Sequence, residues 1–376
     1  MSDTSFCIHP DCSRMASRHG QYCGSHIPHY TNEHDTFKCD YCNTFIKMRK
    51  KKRHPHVCPC RPKIKEFVCL DINSLGRQVA APIQIELEDI KTFFDDFEIP
   101  IIEPFNVVLD KTLFKSNIQE YIISKIVKSY IEKMALSNYA IIDFGSGKGE
   151  LLHYIRMALN EVKDTTYIAV DRKAFKFKFD RMFRFTKLLG NYDCELVPCQ
   201  FKRLYADVKD LNLQNVPELA SKPLIGTCKH LCGSATDLGL NCLLTQKADL
   251  FIFAPCCHHC SSMDTFLYNV HDLPTETLIK FYSHFKPKYD LDSTPEILFQ
   301  QIFKSICKLS SWATRKVEKE SMEGILLGRK AKYFLDELRC KYVGQLGYAV
   351  EQYFYCDSTI TPENRIMVFT KINSDS

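Results

Sequence analysis

Residues 139–149 read Tyr-Ala-Ile-Ile-Asp-Phe-Gly-Ser-Gly-Lys-Gly, and a helix-like stretch follows them. An apolar run that enters a glycine turn and then a helix is the unit with which α/β proteins bind nucleotides, because the turn lets the ligand approach the backbone. The glycines alternate at Gly145, Gly147 and Gly149, and Glu150 stands where a dinucleotide-binding motif has its last glycine. The stretch therefore predicts an α/β fold around a nucleoside-type ligand and disfavours a dinucleotide-dependent oxidoreductase.

Acidic residues after the next two strand-like segments complete the predicted ligand site. Residues 165–170 are rich in β-formers and end at Asp171, whose carboxylate can accept hydrogen bonds from both hydroxyls of a ribose. Asp207 follows a third segment and is a candidate for the adenine edge, with a helix N-cap as the alternative. The D-x-G-x-G-x-G pattern that begins at Asp143 resembles motif I of class I S-adenosylmethionine-dependent methyltransferases. That resemblance implies S-adenosylmethionine as the cofactor.

Two later strand-like runs end in chemically unusual loops. One leads into Lys-His-Leu-Cys-Gly-Ser-Ala-Thr-Asp at 229–237, and the other into Pro-Cys-Cys-His-His-Cys at 255–260. Ligands bind at the carboxyl ends of the strands in an open α/β sheet, so both loops are expected to face the methyl acceptor. The candidate catalytic residues in them are Lys229, His230, Asp237 and His258, although a buried structural role for the histidine is an alternative. The 255–260 run alone is not predicted to bind zinc, because adjacent side chains of an extended chain point in opposite directions.

Flanking segments predict how the domain is completed. Residues 112–135 place apolar side chains at helical spacing, which predicts a helix packed in the core. Residues 324–341 predict an amphipathic helix, and 348–355 with 365–371 predict closing antiparallel strands. Residues 173–187 alternate phenylalanine with lysine and arginine. Packing against the sheet is the favoured interpretation, and stacking on RNA bases is the alternative.

Length and composition bound the class of protein. The chain has 376 residues, of which 45% are hydrophobic and 25% charged, as expected for a globular protein of two or three domains. No apolar run approaches the ~18 residues that span a bilayer, which excludes an integral membrane protein. The first residues lack the pattern of a secretory signal, so the 19 cysteines indicate metal binding or catalysis rather than disulfides.

The front of the chain predicts two zinc fingers. Residues 1–70 contain 12 Lys/Arg against 6 Asp/Glu, together with 8 of the 19 cysteines and 7 of the 13 histidines. Two pairs of knuckles have the spacing that a tetrahedral zinc ion requires. The predicted ligands are Cys7, Cys12, Cys23 and His26 for the first ion, and Cys39, Cys42, His54 and Cys58 for the second, with His56 or Cys60 as alternatives. The basic run at 47–53 is interpreted as a nuclear import signal, a phosphate-contacting face, or both.

These motifs together resemble one family. The two fingers, the glycine turn, the loops at 229–237 and 255–260, Ser-Trp-Ala-Thr at 311–314 and Thr-Pro-Glu-Asn at 361–364 occur in one order. The chain thereby resembles the eukaryotic tRNA ribose 2′-O-methyltransferases that modify nucleotide 4 of the acceptor stem. Cys42 and Cys260 depart from the family pattern: Cys42 stands where the family presents a histidine, and Cys260 directly follows His259 without an intervening residue.

The resemblance implies an organisation and an activity. It implies a CCCH-type finger at 1–33, a CHHC-like finger at 36–63, a linker at 64–111 and, at 112–376, a class I Rossmann-like methyltransferase domain with a mainly parallel seven-stranded sheet. The implied cofactors are S-adenosylmethionine and two structural zinc ions, the partner is the tRNA acceptor stem, and the location is cytoplasmic, nuclear or both. His258 or His230 is expected to be the general base, with Lys229 and Asp237 orienting or assisting electrostatically. The rival is a non-catalytic RNA-binding adaptor, which would not need an intact nucleoside pocket.

Overall fold

A computed structural model gives the fold as two compact units, residues 1–65 and 66–376. The structure describes residues 36–38, 45–47, 82–83, 85–98, 102–107, 117–162, 164–176, 178–184, 197–229, 231–266, 275–289, 294–315 and 321–372. In the first unit, β1 (Thr36–Lys38) pairs antiparallel with β2 (Phe45–Lys47). The eight predicted zinc ligands and His230 lie outside the described residues.

The second unit is built on a seven-stranded sheet. Its strands are β3 (Ala140–Phe144), β4 (Thr166–Val170), β5 (Gln200–Leu204), β6 (Leu224–Lys229), β7 (Leu250–Ala254), β8 (Tyr348–Phe354) and β9 (Arg365–Lys371). The strand order is β5-β4-β3-β6-β7-β9-β8. β9 runs antiparallel to both of its neighbours, and the other pairings are parallel. The predicted seven-stranded, mainly parallel sheet is confirmed.

Helices cover both faces of this sheet because its central strands are apolar on both sides. On β3, Ile142 and Phe144 pack into one core and Ile141 packs into the other, and all three are fully buried. The helices are α1 (Leu87–Asp95), α2 (Ile118–Lys133), α3 (Glu150–Ala158), α4 (Ser234–Thr245), α5 (Thr275–Tyr289), α6 (Pro295–Ser310) and α7 (Met322–Gln345). Near-continuous burial along a strand is typical of parallel sheets with helices on both faces.

The predicted linker at 64–111 requires a correction. Within it, α1 buries Ile90, Phe93 and Phe94 in the core of the second unit. The rings of Phe93 and Phe94 lie 5.5 and 5.8 Å from that of Phe334 on α7. Apolar residues at i, i+3 and i+4 give this short helix a core-facing side, so this part of the segment belongs to the second unit.

The elements predicted at the end of the chain are confirmed. The amphipathic segment becomes α7, and the alternating segments become β8 and β9, joined by the loop that contains Thr-Pro-Glu-Asn. In the described part of the chain, no helix combines the length and the hydrophobicity needed to cross a bilayer. β9 runs antiparallel to both β7 and β8, so β8 and β7 point in the same direction. The loop that joins β8 to β9 therefore lies at the same edge of the sheet as the carboxyl end of β7.

β3 is the strand at which the strand order reverses: β4 and β5 are added on one side of it, and β6 and β7 on the other. Its parallel neighbours are β4 on one side and β6 on the other. The loops that leave these strands therefore diverge and open a crevice beyond the carboxyl end of β3, where open α/β sheets bind their ligands. The glycine turn begins at this point.

Candidate active site

The glycine turn after β3 depends on left-handed backbone conformations. Gly145, Gly147 and Gly149 have φ values of +66°, +52° and +83°, which side chains of L-residues rarely allow. Arg203 on β5 holds the turn: its Nη1 donates to the carbonyl oxygen of Gly147 at 2.9 Å. A side chain at Gly149 would come within 2.9 Å of Arg203 Nη2. The alternating glycines are therefore explained by backbone conformation and by the buried guanidinium beside them.

Asp171 at the end of β4 connects the second strand to the turn. The N–H of Gly147 donates to its Oδ2 at 2.9 Å, and the N–H of Lys173 donates to Oδ1 at 2.7 Å. Two backbone donors thus orient the carboxylate. Each oxygen has a further lone pair that can accept a ribose hydroxyl.

A cleft of about 440 Å³ opens beside these groups. Gly145, Asp171 and Asp207 line it, as do the apolar side chains of Phe175, Ala206, Val208, Leu231 and Leu238. A concave, largely apolar site with a few convergent polar groups is typical of small-molecule binding. The structure thus brings three of the six predicted cofactor residues to one cleft, while Asp143, Gly147 and Gly149 do not line it.

Asp207 makes the contacts of an N-cap. Its Oδ1 accepts from the N–H of Lys209 at 3.3 Å, at the start of a short 3₁₀ turn over Val208–Asp210. Its Oδ2 lies 3.5 Å from Arg172 Nη1. In this structure Asp207 therefore acts as a helix N-cap, which was the alternative, and its contact with an adenine edge stays a prediction.

Asp143 is buried at the end of β3. The hydroxyl of Thr227 on β6 donates to its Oδ1 at 3.1 Å. Burial raises the pKa of Asp143 to about 7; Thr227, Arg203 and Lys229 oppose this rise, and Asp171 adds to it. This carboxyl group lies two residues before Gly145, the first glycine of the turn.

The folded pKa of Asp143 exceeds its ordinary value of 3.8, so folding should weaken as this group ionises. The stabilisation that the protonated Asp143 contributes is complete at acid pH and is lost as the pH rises towards 7. Between about pH 5.5 and pH 8.5, the unsubstituted chain should lose about 2 kcal/mol of unfolding free energy that the Asp143→Asn variant keeps. Urea unfolding at a series of pH values measures the difference, and a difference independent of pH would contradict the raised pKa.

Lys229, at the end of β6, pairs with an acidic residue that sequence patterns do not single out. Its Nζ donates to Glu120 Oε1 on α2, and both side chains are largely buried. The other oxygen, Oε2 of Glu120, is buried and has no hydrogen-bond partner among the described residues. Burial, together with repulsion from Glu120, raises the pKa of Glu150, the first residue of α3, and Lys229 opposes this rise.

His258 begins a second, fully buried network behind the loop that follows β7. Its Nε2 lies 2.7 Å from Asp336 Oδ1 on α7. Asp336 Oδ1 also accepts from Arg339 Nη1 at 3.0 Å, and Arg339 donates through Nε and Nη2 to both oxygens of Asp237 at 2.8 and 2.9 Å. Two of the predicted catalytic residues, His258 and Asp237, are therefore linked through a guanidinium and a second carboxylate.

The charges in this network determine the state of the imidazole. Burial opposes ionisation of Asp336, but the hydrogen bond from His258 and the charges of Arg365 and Arg339 hold its pKa well below the ordinary range. Burial lowers the pKa of His258 against the pull of Asp336, so we assign a neutral ring that donates from Nε2 to the carboxylate. Nδ1 then bears the lone pair, and among the described residues it is buried without a partner.

Sequence reasoning missed four residues of this site. Glu120, Asp336 and Arg339 lie in helices and Arg203 lies in a strand, and no motif distinguishes them from the other charged residues of those elements. The available signal was weak: Asp336 and Arg339 are charges three residues apart on a helix whose 24 residues include 14 buried ones. Only packing shows that these charges face inward.

Comparison with known proteins decides the family. The sequence profile of the family described as Methyltransferase TRM13 matches residues 119–324, which is more than half of the 376 residues. The chain belongs to this family. The match includes the glycine turn, both loops at the carboxyl edge and the first residues of α7.

Individual relatives differ in how much of their length this chain spans. A "tRNA:m(4)X modification enzyme TRM13" from Scheffersomyces stipitis is 25% identical over 94% of this chain and 96% of the relative. The protein of that name from Schizosaccharomyces pombe is 24% identical over 61% of each, so the chain spans about three fifths of its length. The human homolog is 35% identical over 29% of this chain and 21% of the relative.

Among solved structures, small RNA methyltransferase HEN1 is 14% identical over 71% of this chain and 28% of that chain, with a TM-score of 0.34. So loose a superposition adds nothing to the assignment of the fold, which rests on the strand order.

Proposed function

We propose that this chain transfers a methyl group from S-adenosylmethionine to the ribose 2′-hydroxyl of nucleotide 4 in the acceptor stem of tRNA. Membership of a methyltransferase family supports the reaction class, and the names of the relatives support tRNA as the substrate. The observation that contributes most is structural: a nucleoside-type cleft and a buried His258–Asp336 pair belong to the same edge of one sheet.

The residues present are compatible with S-adenosylmethionine. A side chain at Gly145 would come within 2.9 Å of Leu231, so this glycine keeps the cleft open next to the turn. Asp171 offers acceptors for ribose hydroxyls. The unpartnered Oε2 of Glu120 offers a buried acceptor for an ammonium group such as that of the methionine portion. When bound, this cofactor supplies an electrophilic methyl group on a positively charged sulfur.

The protein's part in the reaction is positioning and proton removal. A ribose hydroxyl is a poor nucleophile until its proton is taken, and a neutral imidazole is a suitable acceptor. In the proposed mechanism His258 Nδ1 accepts the proton of the 2′-hydroxyl, which makes that oxygen nucleophilic. Asp336 stabilises the resulting imidazolium through Nε2, while Arg339 and Asp237 act as positioning residues. His230 stays the alternative base.

The first unit is proposed to bind the RNA. Its two zinc fingers would hold the excess of basic residues as a compact surface, and such a surface gains affinity by releasing counterions from phosphates. Double-stranded RNA presents its 2′-hydroxyls in a shallow minor groove, which suits recognition by shape. Cytoplasm, nucleus or both stays the proposed location, on the basic run at 47–53.

The reaction predicts where a labelled methyl group will be found. The full chain is incubated with unfractionated tRNA and methyl-labelled S-adenosylmethionine, and the tRNA is then digested and mapped. We expect one labelled nucleotide, at position 4, whose 3′ phosphodiester resists alkali because a methylated 2′-oxygen cannot attack it. Asp171→Ala, which removes the proposed ribose ligand, is the inactive control.

Other outcomes would refute parts of this proposal. A label on a base, with the adjoining bond still alkali-labile, would contradict ribose methylation. Absence of any label, together with tRNA binding, would favour the non-catalytic adaptor.

A further inference from the structure

Three cysteine thiols converge at the carboxyl edge of the sheet, outside the hydrogen-bonded network described above. Cys232 lies in the loop after β6, and Cys256 and Cys257 lie in the loop after β7. The three sulfur atoms all lie within 4.8 Å of one another. Those of Cys232 and Cys256 are 3.4 Å apart. We call these three residues the thiol cluster.

We propose that the thiol cluster binds one Zn²⁺ ion, with Cys260 as the fourth ligand. Zn–S bonds of about 2.3 Å in a tetrahedral site separate sulfur atoms by about 3.8 Å, a value within the range found here. A disulfide would use two of the thiols and leave the third unused. One metal ion uses all three, and soft thiolates are the ligands that select zinc in closed structural sites.

The backbone explains why neighbouring cysteines can share one ion. In an extended run at 255–260, adjacent cysteines would point in opposite directions, but the chain turns after Cys257 into a 3₁₀ turn over His258–Cys260. Cys257 therefore need not point away from Cys256. It also forms a C-x₂-C knuckle with Cys260, the spacing with which short turns present two ligands to zinc.

Cys260 is held next to the thiol cluster by Gly233. A Cβ added to this glycine, which directly follows Cys232, would lie 2.6 Å from Cys260 Cβ, so the two loops are in contact only because residue 233 has no side chain. Like Cys232, Cys260 lines the cofactor cleft. Its sulfur lies outside the 4.8 Å group and would reach the ion by rotation about its Cα–Cβ bond.

Such a site would be structural, because four protein ligands leave no open position on the ion. It would join the loop that follows Lys229 to the loop that contains His258. Cys232 and Cys260 also line the cofactor cleft, so the ion would stabilise one of its walls. The inference does not depend on which nucleotide is methylated.

Metal analysis of the full chain tests the site by difference, because the proposed fingers contribute zinc of their own. We expect Cys232→Ser and Cys256→Ser each to contain one zinc ion fewer per chain than the unsubstituted protein, as measured by mass spectrometry of the metal. The matched control is Cys242→Ser, at a buried cysteine whose sulfur lies 3.5 Å from the carbonyl oxygen of Leu211, a partner that serine can keep. Equal zinc in all four proteins would overturn the proposal.

A second measurement uses the unsubstituted protein and does not depend on whether a variant folds. Alkylation of the cysteines is followed by peptide mass spectrometry before and after treatment with a chelator. We expect Cys232, which is exposed, to be protected before chelation and labelled afterwards. An equal labelling rate in both states, or a Cys232–Cys256 disulfide in the untreated protein, would refute zinc at the thiol cluster.

Discussion

Replacing His258 with glutamine is expected to slow methyl transfer to tRNA by roughly 10²- to 10⁴-fold, the usual contribution of a positioned general base. Glutamine can donate to Asp336 from its amide but offers no basic nitrogen for the ribose proton. The affinity for S-adenosylmethionine should be unchanged, because His258 does not line the cofactor cleft. Single-turnover methylation, with calorimetry of cofactor binding, measures the two quantities separately.

A histidine outside the site provides the control for this experiment. His284 on α5 lies 3.1 Å from the carbonyl oxygen of Asp89, in contact with α1. His284→Gln should keep the full rate. If His258→Gln also kept the full single-turnover rate, His258 would not be the base, and His230 would be the remaining candidate.

The second large effect is expected at Arg339, on the stability of the methyltransferase body. Its guanidinium is 1% exposed and is hydrogen-bonded to the two buried carboxylates of Asp237 and Asp336. These carboxylates raise the pKa of Arg339 despite its burial, so the charge persists in the folded protein. Arg339→Met should destabilise the fold by roughly 3–5 kcal/mol, because it leaves Asp237 buried without its cation.

The chain offers its own probe and control for this measurement. Trp312, the single tryptophan, packs with its backbone against Gly328 of α7, so its fluorescence in urea reports unfolding around that helix. Lys280→Met removes an exposed pair with Glu276 on α5 and should leave the unfolding midpoint unchanged. A similarly small change in Arg339→Met would mean that the buried network contributes nothing to stability.

Prediction from sequence succeeded where a local pattern has one structural solution. The run at 139–149 is apolar and then glycine-rich, and a helix-like stretch follows it. These segments became β3, a turn with three positive φ values, and α3. The end of the chain was predicted equally well: both segments became strands, and on β9 Ile366 and Val368 pack into one core while Met367 and Phe369 pack into the other. The linker assignment was wrong at α1, since a nine-residue amphipathic helix is a weak signal by itself.

The residues of the candidate site likewise fall into those that the sequence predicted and those that it could not. Lys229 ends a strand and Asp171 and His258 follow strands, and a residue at the carboxyl end of a parallel strand lies at the ligand-binding edge whatever else the fold contains. Their partners could not be predicted. Glu120 lies 109 residues from Lys229, and Asp336 lies 78 residues from His258. No periodic pattern links positions so far apart in the chain.

The amino-acid sequence by itself determined the α/β class, the glycine turn and which loops reach the active edge, because each follows from backbone conformation or strand periodicity within a short segment. Only the tertiary structure decided which charges are paired and which thiols meet. Such contacts arise when helices and loops from distant segments pack on the same edge of the sheet. Burial then determines the protonation of His258 and Asp143, since desolvation depends on everything packed around a group and not on its neighbours in sequence.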